Sequence, residues 1–214
     1  IEKNPQMEKT IKQIITDFES GNKSLAKQFR HLTTHCIKGH KETLSSLGIK
    51  IDEYFRESKL IEDGSVKKIL KKIEKLPEGV REGKRLYVNL AHFGIKREFT
   101  LTREDGTTIY PARDLAFHEY KLSQADRNIN IIGTDQKFYF RQLKSTLSLL
   151  FPEKTKNYTI IFYEFLLLPE GTMSTRAGKF VSVDEVLRKA ITFARETVEK
   201  KMPQYPETLK EKIA

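Results

Sequence analysis

Apolar residues Met7, Ile11, Ile14, Ile15 and Phe18 recur at three- and four-residue intervals, the spacing that lines one face of an α-helix. Glu19-Ser20-Gly21-Asn22 breaks the run. Ser24 is the expected cap of a second helix, whose face carries Leu25, Phe29, Leu32, Cys36 and Leu44 and which Gly48 ends. Residues 49–54 alternate briefly. Residues 65–75, with Val66, Ile69, Leu70 and Ile73, predict another amphipathic helix, closed by Pro77-Glu78-Gly79. Residues 1–79 therefore read as a helical connective or insertion segment.

The period changes after residue 79. Leu86, Val88 and Leu90 alternate, as do Phe99 and Leu101. Glu104-Asp105-Gly106-Thr107 then turns the chain, and Thr108-Ile109-Tyr110 returns. Asp-Gly between β-prone runs is a hairpin signal, so residues 80–110 predict a small antiparallel β unit. From Pro111 the pattern becomes helix, strand, helix, strand, loop, helix. The helices are expected from Pro111 past Leu122, over 137–150 and from Val183 to about Lys201 with Ser182 as N-cap. Buried strands are expected over 129–133 and 158–168, and residues 151–157 read as a loop. The expected fold is α/β, a partial doubly wound parallel (Rossmann-like) sheet over 111–214, preceded by the helical segment and the small antiparallel unit.

Composition narrows the class. The chain has 214 residues, 39 Lys and Arg against 29 Asp and Glu, and a formal charge of +10. A cationic surplus suits a polyanionic partner, although lysine-rich helix faces also occur where no nucleic acid is bound. No apolar run reaches the ~18–20 residues of a membrane helix. A single cysteine, Cys36, excludes an internal disulfide framework and fits a reducing, cytoplasmic setting. The start at Ile1, without Met or a signal-peptide pattern, is what an excised or processed chain is expected to show.

The second apolar run leads into Met173-Ser174-Thr175-Arg176-Ala177-Gly178-Lys179. Hydroxyls and backbone N–H groups donate to phosphate oxygens there, while Arg176 and Lys179 neutralise charge. This loop is a candidate polyphosphate cradle.

Four segments, in order, resemble the arginyl-tRNA synthetases, a family of class I aminoacyl-tRNA synthetases. Asp105-Gly106-Thr107-Thr108-Ile109-Tyr110-Pro111-Ala112-Arg113-Asp114-Leu115-Ala116 is similar to the family's D-G-x-x-x-Y-x-x-R-D-[IL]-A block. Ile131-Ile132-Gly133-Thr134-Asp135-Gln136 is similar to a strand-end G-x-D-Q. Gly171 to Gly178 looks like the family's form of the KMSKS loop, and residues 47–58 like its L-G-[IV]…D-x-[YF]-x-x-E-S stretch. The resemblance implies ATP-dependent activation of arginine, with Mg2+ accompanying ATP, and transfer to tRNA(Arg).

The resemblance also implies roles. Tyr110 and Asp114 are four apart, one helical turn. A carboxylate is the planar, bidentate, charge-complementary partner of a guanidinium, and the Tyr110 ring would pack on the arginine stem. Glu57 is implied to face the same guanidinium, and Gln136 the substrate's α-amino or carboxyl end. Gly133 would allow close backbone approach to ATP and Asp135 would bond its ribose. Met173, Ser174, Thr175 and Arg176, with Lys179, would clamp its phosphates. His118 lies one turn beyond Asp114, and its plainer reading is an exposed or core imidazole.

Two departures qualify the likeness. Thr172 stands where the generic loop has its first Lys, and no replacement lysine is identified. The H-x-G-H signature is missing from these residues. Ile37-Lys38-Gly39-His40, the nearest string, has Ile in place of the first His and lies in a helical pattern. The chain thus looks like an interior catalytic-domain piece, expected to be inactive alone, with an apolar sheet edge open to self-association. The alternative is a synthetase-derived module that binds tRNA without chemistry.

Overall fold

A computed structural model describes residues 5–164 and 181–213. Contacts group the chain into two compact units, one of Ile1–Thr34 with Asp52–Phe165 and one of His35–Ile51 with Leu166–Ala214. The chain is α/β, and among the described residues it has a three-stranded antiparallel sheet and a two-stranded parallel sheet.

Helix α1, Pro5–Glu19, turns Ile14, Ile15 and Phe18 inward and leaves Met7 and Ile11 exposed. Helix α2, Lys23–Ser46, is capped by Asn22 rather than Ser24. The Asn22 carboxamide oxygen accepts from the Ser24 and Leu25 N–H groups at 3.0 and 3.1 Å. Asn22 places its acceptor two positions earlier than Ser24 and satisfies two N–H groups at once. No described residue of α2 is buried, so the expected apolar face through Leu32 and Cys36 is uncovered. Gly48, at φ 69°, ends the turn that follows, as its left-handed freedom predicts. Residues 49–51 carry no strand, and the chain passes into α3, Ser58–Glu62, and α4, Ser65–Ile73.

The antiparallel sheet differs from the expected hairpin. Strand β1, Gly79–Glu82, pairs with β2, Arg85–Val88, across a turn at Gly83, and β2 pairs with β3, Phe99–Thr100. The Asp105-Gly106 turn does form, with Asp105 Oδ1 accepting from Thr107 N at 2.8 Å. Its return strand shrinks to one bridge, Thr102 to Thr108, because helix α5 already begins at Tyr110.

The parallel unit is β4–α6–β5. Strand β4, Asn128–Gly133, lies beside β5, Tyr158–Tyr163, in register Asn130 to Ile160 and Gly133 to Tyr163. The connecting helix α6 is Lys137–Leu150, and the expected loop after it contains a short helix, α7, Pro152–Thr155, started by Pro152. The expectation that both strands are fully buried is corrected. Ile131 is 66% exposed, and Ile129, Ile161 and Tyr163 share its open face. A continuous apolar run does not by itself show that both faces are covered, and here described elements cover one. Residues 165–168 of the expected strand lie outside the described residues.

One apolar core runs through the first of the two compact units. Leu86 and Val88 from β2, Ile69 and Ile73 from α4, Leu115 from α5, and Leu143 and Leu147 from α6 are all fully buried within it. In the second unit, helix α8, Val183–Lys201, is capped by Ser182, whose hydroxyl accepts from Glu185 N at 3.1 Å as expected. A last helix, α9, Glu207–Ile213, brings Lys210 to Glu199.

Candidate active site

Helix α5, Tyr110–Gln124, starts with Pro111 in its first turn. Ala112, Leu115, Ala116 and Leu122 bury one face. Asp114 and His118 fall one turn apart at the edge of that face, so a carboxylate and an imidazole enter the core margin together.

The Asp114 carboxylate is held at both oxygens. Tyr139, from the first turns of α6, donates its hydroxyl to Oδ2 at 2.6 Å. His118 Nδ1 lies 3.2 Å from Oδ1 and 2.8 Å from the Asp114 main-chain oxygen. Both neighbours are acceptors, so Nδ1 carries the proton. On the other side of the ring, Nε2 meets the Asn130 amide nitrogen at 2.9 Å, Lys121 Nζ at 3.2 Å and the Tyr158 hydroxyl at 2.9 Å. Asn130 Oδ1 accepts from Lys121 Nζ at 2.8 Å, which fixes its amide orientation. Nε2 is therefore an acceptor, and His118, 1% exposed, bridges sheet and carboxylate.

This setting shapes the acid–base chemistry. Burial alone would raise the Asp114 carboxyl, but the hydrogen bonds from His118 and Tyr139 and the Lys121 charge outweigh it and hold it below its ordinary value. Burial, then the charge and hydrogen bond of Asp114, push the Tyr139 hydroxyl far up, so it stays a donor. Tyr158 moves the same way, by burial and then by the Asp114 charge. Burial lowers Lys121 to about 8, with the Asp114 charge opposing. The Tyr110 ring stands 4.9 Å from the ring of Tyr139, the carboxylate's donor, at 46° and is 55% exposed, a rim position.

The other expected residues have partners of their own. Glu57 Oε2 accepts from Arg113 Nε at 3.1 Å. Arg113 also reaches Glu19 at 3.8 Å, and Thr108 donates to Glu19 at 2.6 Å. This cluster borders a cavity of about 340 Å3 whose floor is Ile14, Ile15, Phe18 and Phe29. The turn at Thr134–Gln136 follows the end of β4, where open α/β sheets bind ligands. There Gln136 Nε2 donates to Asp135 Oδ2 at 2.8 Å, both side chains being exposed. A Cβ on Gly133 would meet Asp135 Oδ1 at 2.8 Å.

Known proteins match this chain in sequence and fold. The family described as "tRNA synthetases class I (R), catalytic domain" matches residues 1–213. The chain belongs to this family. Among curated relatives, the arginine–tRNA ligase of Methanoregula boonei is 40% identical over 214 residues, 100% of this chain and 38% of that protein. That of Methanocella arvoryzae is 39% identical over 208 residues, 97% of this chain and 37% of that protein. The chain thus spans under two-fifths of the length of these relatives. The Thermus thermophilus arginyl-tRNA synthetase structure superposes with a TM-score of 0.76 at 24% identity, covering 98% of this chain and 40% of that one. The Plasmodium falciparum arginyl-tRNA synthetase gives 0.75 at 16% identity, covering 97% of this chain and 35% of that one. At such identities the superpositions establish the fold.

Within this class I synthetase chain, the structure joins Tyr110 and Asp114 through Tyr139, pairs Gln136 with Asp135, and pairs Glu57 with Arg113. Met173, Ser174, Thr175, Arg176 and Lys179 lie outside the described residues. Tyr139 is the participant that pattern reading left out, and His118 the one it favoured as an exposed or core imidazole over a contact. Tyr139 sits three residues after Gln136, at the start of a helix whose N-terminus follows a strand end, a position where side chains face a ligand crevice. The core reading of His118 holds, and its contact with Asp114 adds to it.

Proposed function

We propose that this chain is the arginine-gripping and ATP-contacting part of an arginine–tRNA ligase, which joins arginine to AMP and then to tRNA(Arg). The observation that carries the reading is the Asp114 carboxylate at the margin of the core, met by Tyr139 at one oxygen and His118 at the other, with the Tyr110 ring against that of Tyr139. A guanidinium supplies two parallel N–H donors and a delocalised charge to such a group. Tyr110 packs on the arginine stem, Glu57 adds a second carboxylate, and Gln136 meets the amino-acid end. Gly133 and Asp135 receive the nucleoside of ATP. Met173, Ser174, Thr175, Arg176 and Lys179 hold its phosphates.

In the first step an arginine carboxylate oxygen bonds to the α-phosphorus while the bond to the bridging oxygen breaks and pyrophosphate departs. No proton need move, so the chain's contribution is positioning and charge stabilisation. ATP would bring Mg2+ with it, which would offset part of the phosphate charge. Among the described residues no group of three or more His, Cys, Asp or Glu side chains is placed to hold a metal. The charge of +10 suits tRNA as a partner, and the compartment is the cytoplasm, where translation runs. No helix among the described residues is long and apolar enough to cross a membrane.

Arginine-dependent ATP–pyrophosphate exchange by the complete gene product tests the reading. Calorimetric binding of arginine against lysine and citrulline tests the pocket. Citrulline is neutral at its head, and an affinity equal to that of arginine would remove the assignment. The isolated 214 residues are expected to show no exchange, and arginine-dependent exchange from them would overturn that. Among the described residues β4 and β5 pair only with each other, which fits self-association of the isolated chain by strand pairing. A monomer at every concentration in sedimentation velocity would exclude it.

A further inference from the structure

We infer that His118 and Tyr139 are positioning residues for arginine selection, each fixing one oxygen of the Asp114 carboxylate so that the remaining acceptor sites face a guanidinium as a pair. The inference rests on the proposed reading of Asp114 as the guanidinium partner.

The argument is one of counting. An ionised carboxylate has about four acceptor positions. Tyr139 takes one on Oδ2, and the single Nδ1–H of His118, shared with the Asp114 main-chain oxygen at 2.8 Å, addresses Oδ1 at 3.2 Å. Each oxygen then keeps one open position, the number a bidentate guanidinium fork uses. A carboxylate free to rotate would present those positions in many orientations and lose the geometric advantage of the fork. The ring of His118 is itself clamped: its Nε2 receives Asn130 and Lys121, and it packs edge-on to Tyr158 with centroids 5.4 Å apart. Strand β4, strand β5 and helix α5 thus meet on one imidazole, which passes their rigidity to the carboxylate. Tyr139 has its own support in the Tyr110 and Phe140 rings.

The two ring nitrogens separate positioning from simple packing. His118→Asn keeps a donor near Nδ1 and loses the Nε2 contacts, and His118→Gln does the reverse. Both leave space in the core and both are expected to melt lower. In arginine-dependent pyrophosphate exchange by the complete gene product, His118→Gln is expected to raise the KM for arginine about tenfold, the effect of one lost charge-assisted hydrogen bond. His118→Asn is expected to stay within about threefold, and the KM for ATP to stay unchanged in both. Tyr139→Phe, which keeps the ring, is expected to raise the arginine KM about tenfold and supplies the readout if either histidine variant does not fold. An arginine KM that follows melting temperature rather than the nitrogen retained overturns the inference, as does an unchanged KM in Tyr139→Phe. Asp114→Asn in the same assay separates the two levels: if it leaves the arginine KM unchanged, the reading of Asp114 itself is wrong.

Discussion

Arg113 Nε donates to Glu57 Oε2 at 3.1 Å, so a carboxylate assigned to a substrate guanidinium already holds one belonging to the chain. The two ends of this pair differ in setting. The Glu57 side chain is 57% exposed, whereas Glu19, on the other side of Arg113, is 17% exposed. An exposed pair contributes little, but a partly buried carboxylate left without its cation is costly. Glu57→Gln is therefore expected to shift stability by less than about 1 kcal/mol. Arg113→Met is expected to cost roughly 1–3 kcal/mol, since Glu19 loses its counter-charge. Urea denaturation midpoints check both, and equal shifts would contradict the structural asymmetry.

The Lys121 ammonium sits between His118, Asn130 and the Phe117 ring. Burial lowers it from 10.5 to about 8. Below pH 8 the folded chain carries this charge at a cost that the unfolded chain does not bear. Between 8 and 10.5 the unfolded chain binds a proton that the folded chain has released, so stability gains with rising pH across that window. Asp114 on the same helix opposes the shift by its charge, and Tyr158 from β5 faces the same imidazole. Relative to Lys121→Met, the native chain is expected to gain stability from pH 8 to 10.5. Melting temperatures of the two at pH 7, 9 and 10.5 measure this, and parallel curves would refute it.

How much of this was legible in the sequence depended on whether the signal was local. The Ser182 cap, Pro111 in the first turn of α5 and Gly48 at a helix end are local, and each appears where the pattern put it. The Tyr110–Asp114 spacing is likewise a property of one helix. One local signal missed, since Asn22 and not Ser24 caps α2, and the larger failures were pairings at a distance. The Asp105-Gly106 turn forms, but which strands pair is decided by β2, which finds β1 and β3. Ile129-Asn130-Ile131 shows the limit most clearly. Polar residues usually face water on a half-covered sheet, yet both isoleucines are exposed and Asn130 turns inward to His118. Only the partners supplied by α5 and β5 explain that inversion, and no short window of sequence contains them. Glu57 was matched by motif, but its bond to Arg113 spans 56 positions.

Removing the Asp114 charge gives the most direct functional prediction. Asp114→Asn keeps the shape, and its amide still accepts one hydrogen bond from Tyr139 or His118. It loses the charge and presents N–H groups to a guanidinium that has only donors. Loss of one partner of a desolvated charge pair costs ~2–5 kcal/mol. The arginine KM in pyrophosphate exchange is thus expected to rise by at least about thirtyfold, with the ATP KM unchanged. A change confined to the ATP KM would place Asp114 in the other half of the site.

Two glycines with crowded surroundings are expected to behave oppositely. A Cβ on Gly79 would lie 2.0 Å from the Ile73 carbonyl oxygen and 2.9 Å from its carbon, both backbone atoms at the end of α4. Backbone there cannot yield without opening the helix end or β1, so Gly79→Ala is expected to cost about 3 kcal/mol or more. A Cβ on Gly133 would instead meet Asp135 Oδ1 at 2.8 Å and the Tyr163 ring at 3.8 Å. The first contact is the tip of an exposed side chain that can rotate away, and Gly133 has no left-handed backbone to defend. Gly133→Ala is therefore expected to fold with a loss under about 1 kcal/mol. Its cost falls on function, because the Asp135 carboxylate must leave its place beside Gln136. If Asp135 bonds the ribose, the KM for ATP rises in Gly133→Ala while the arginine KM holds; if the two rise together, the displaced Gln136 contact is what the substitution disturbs.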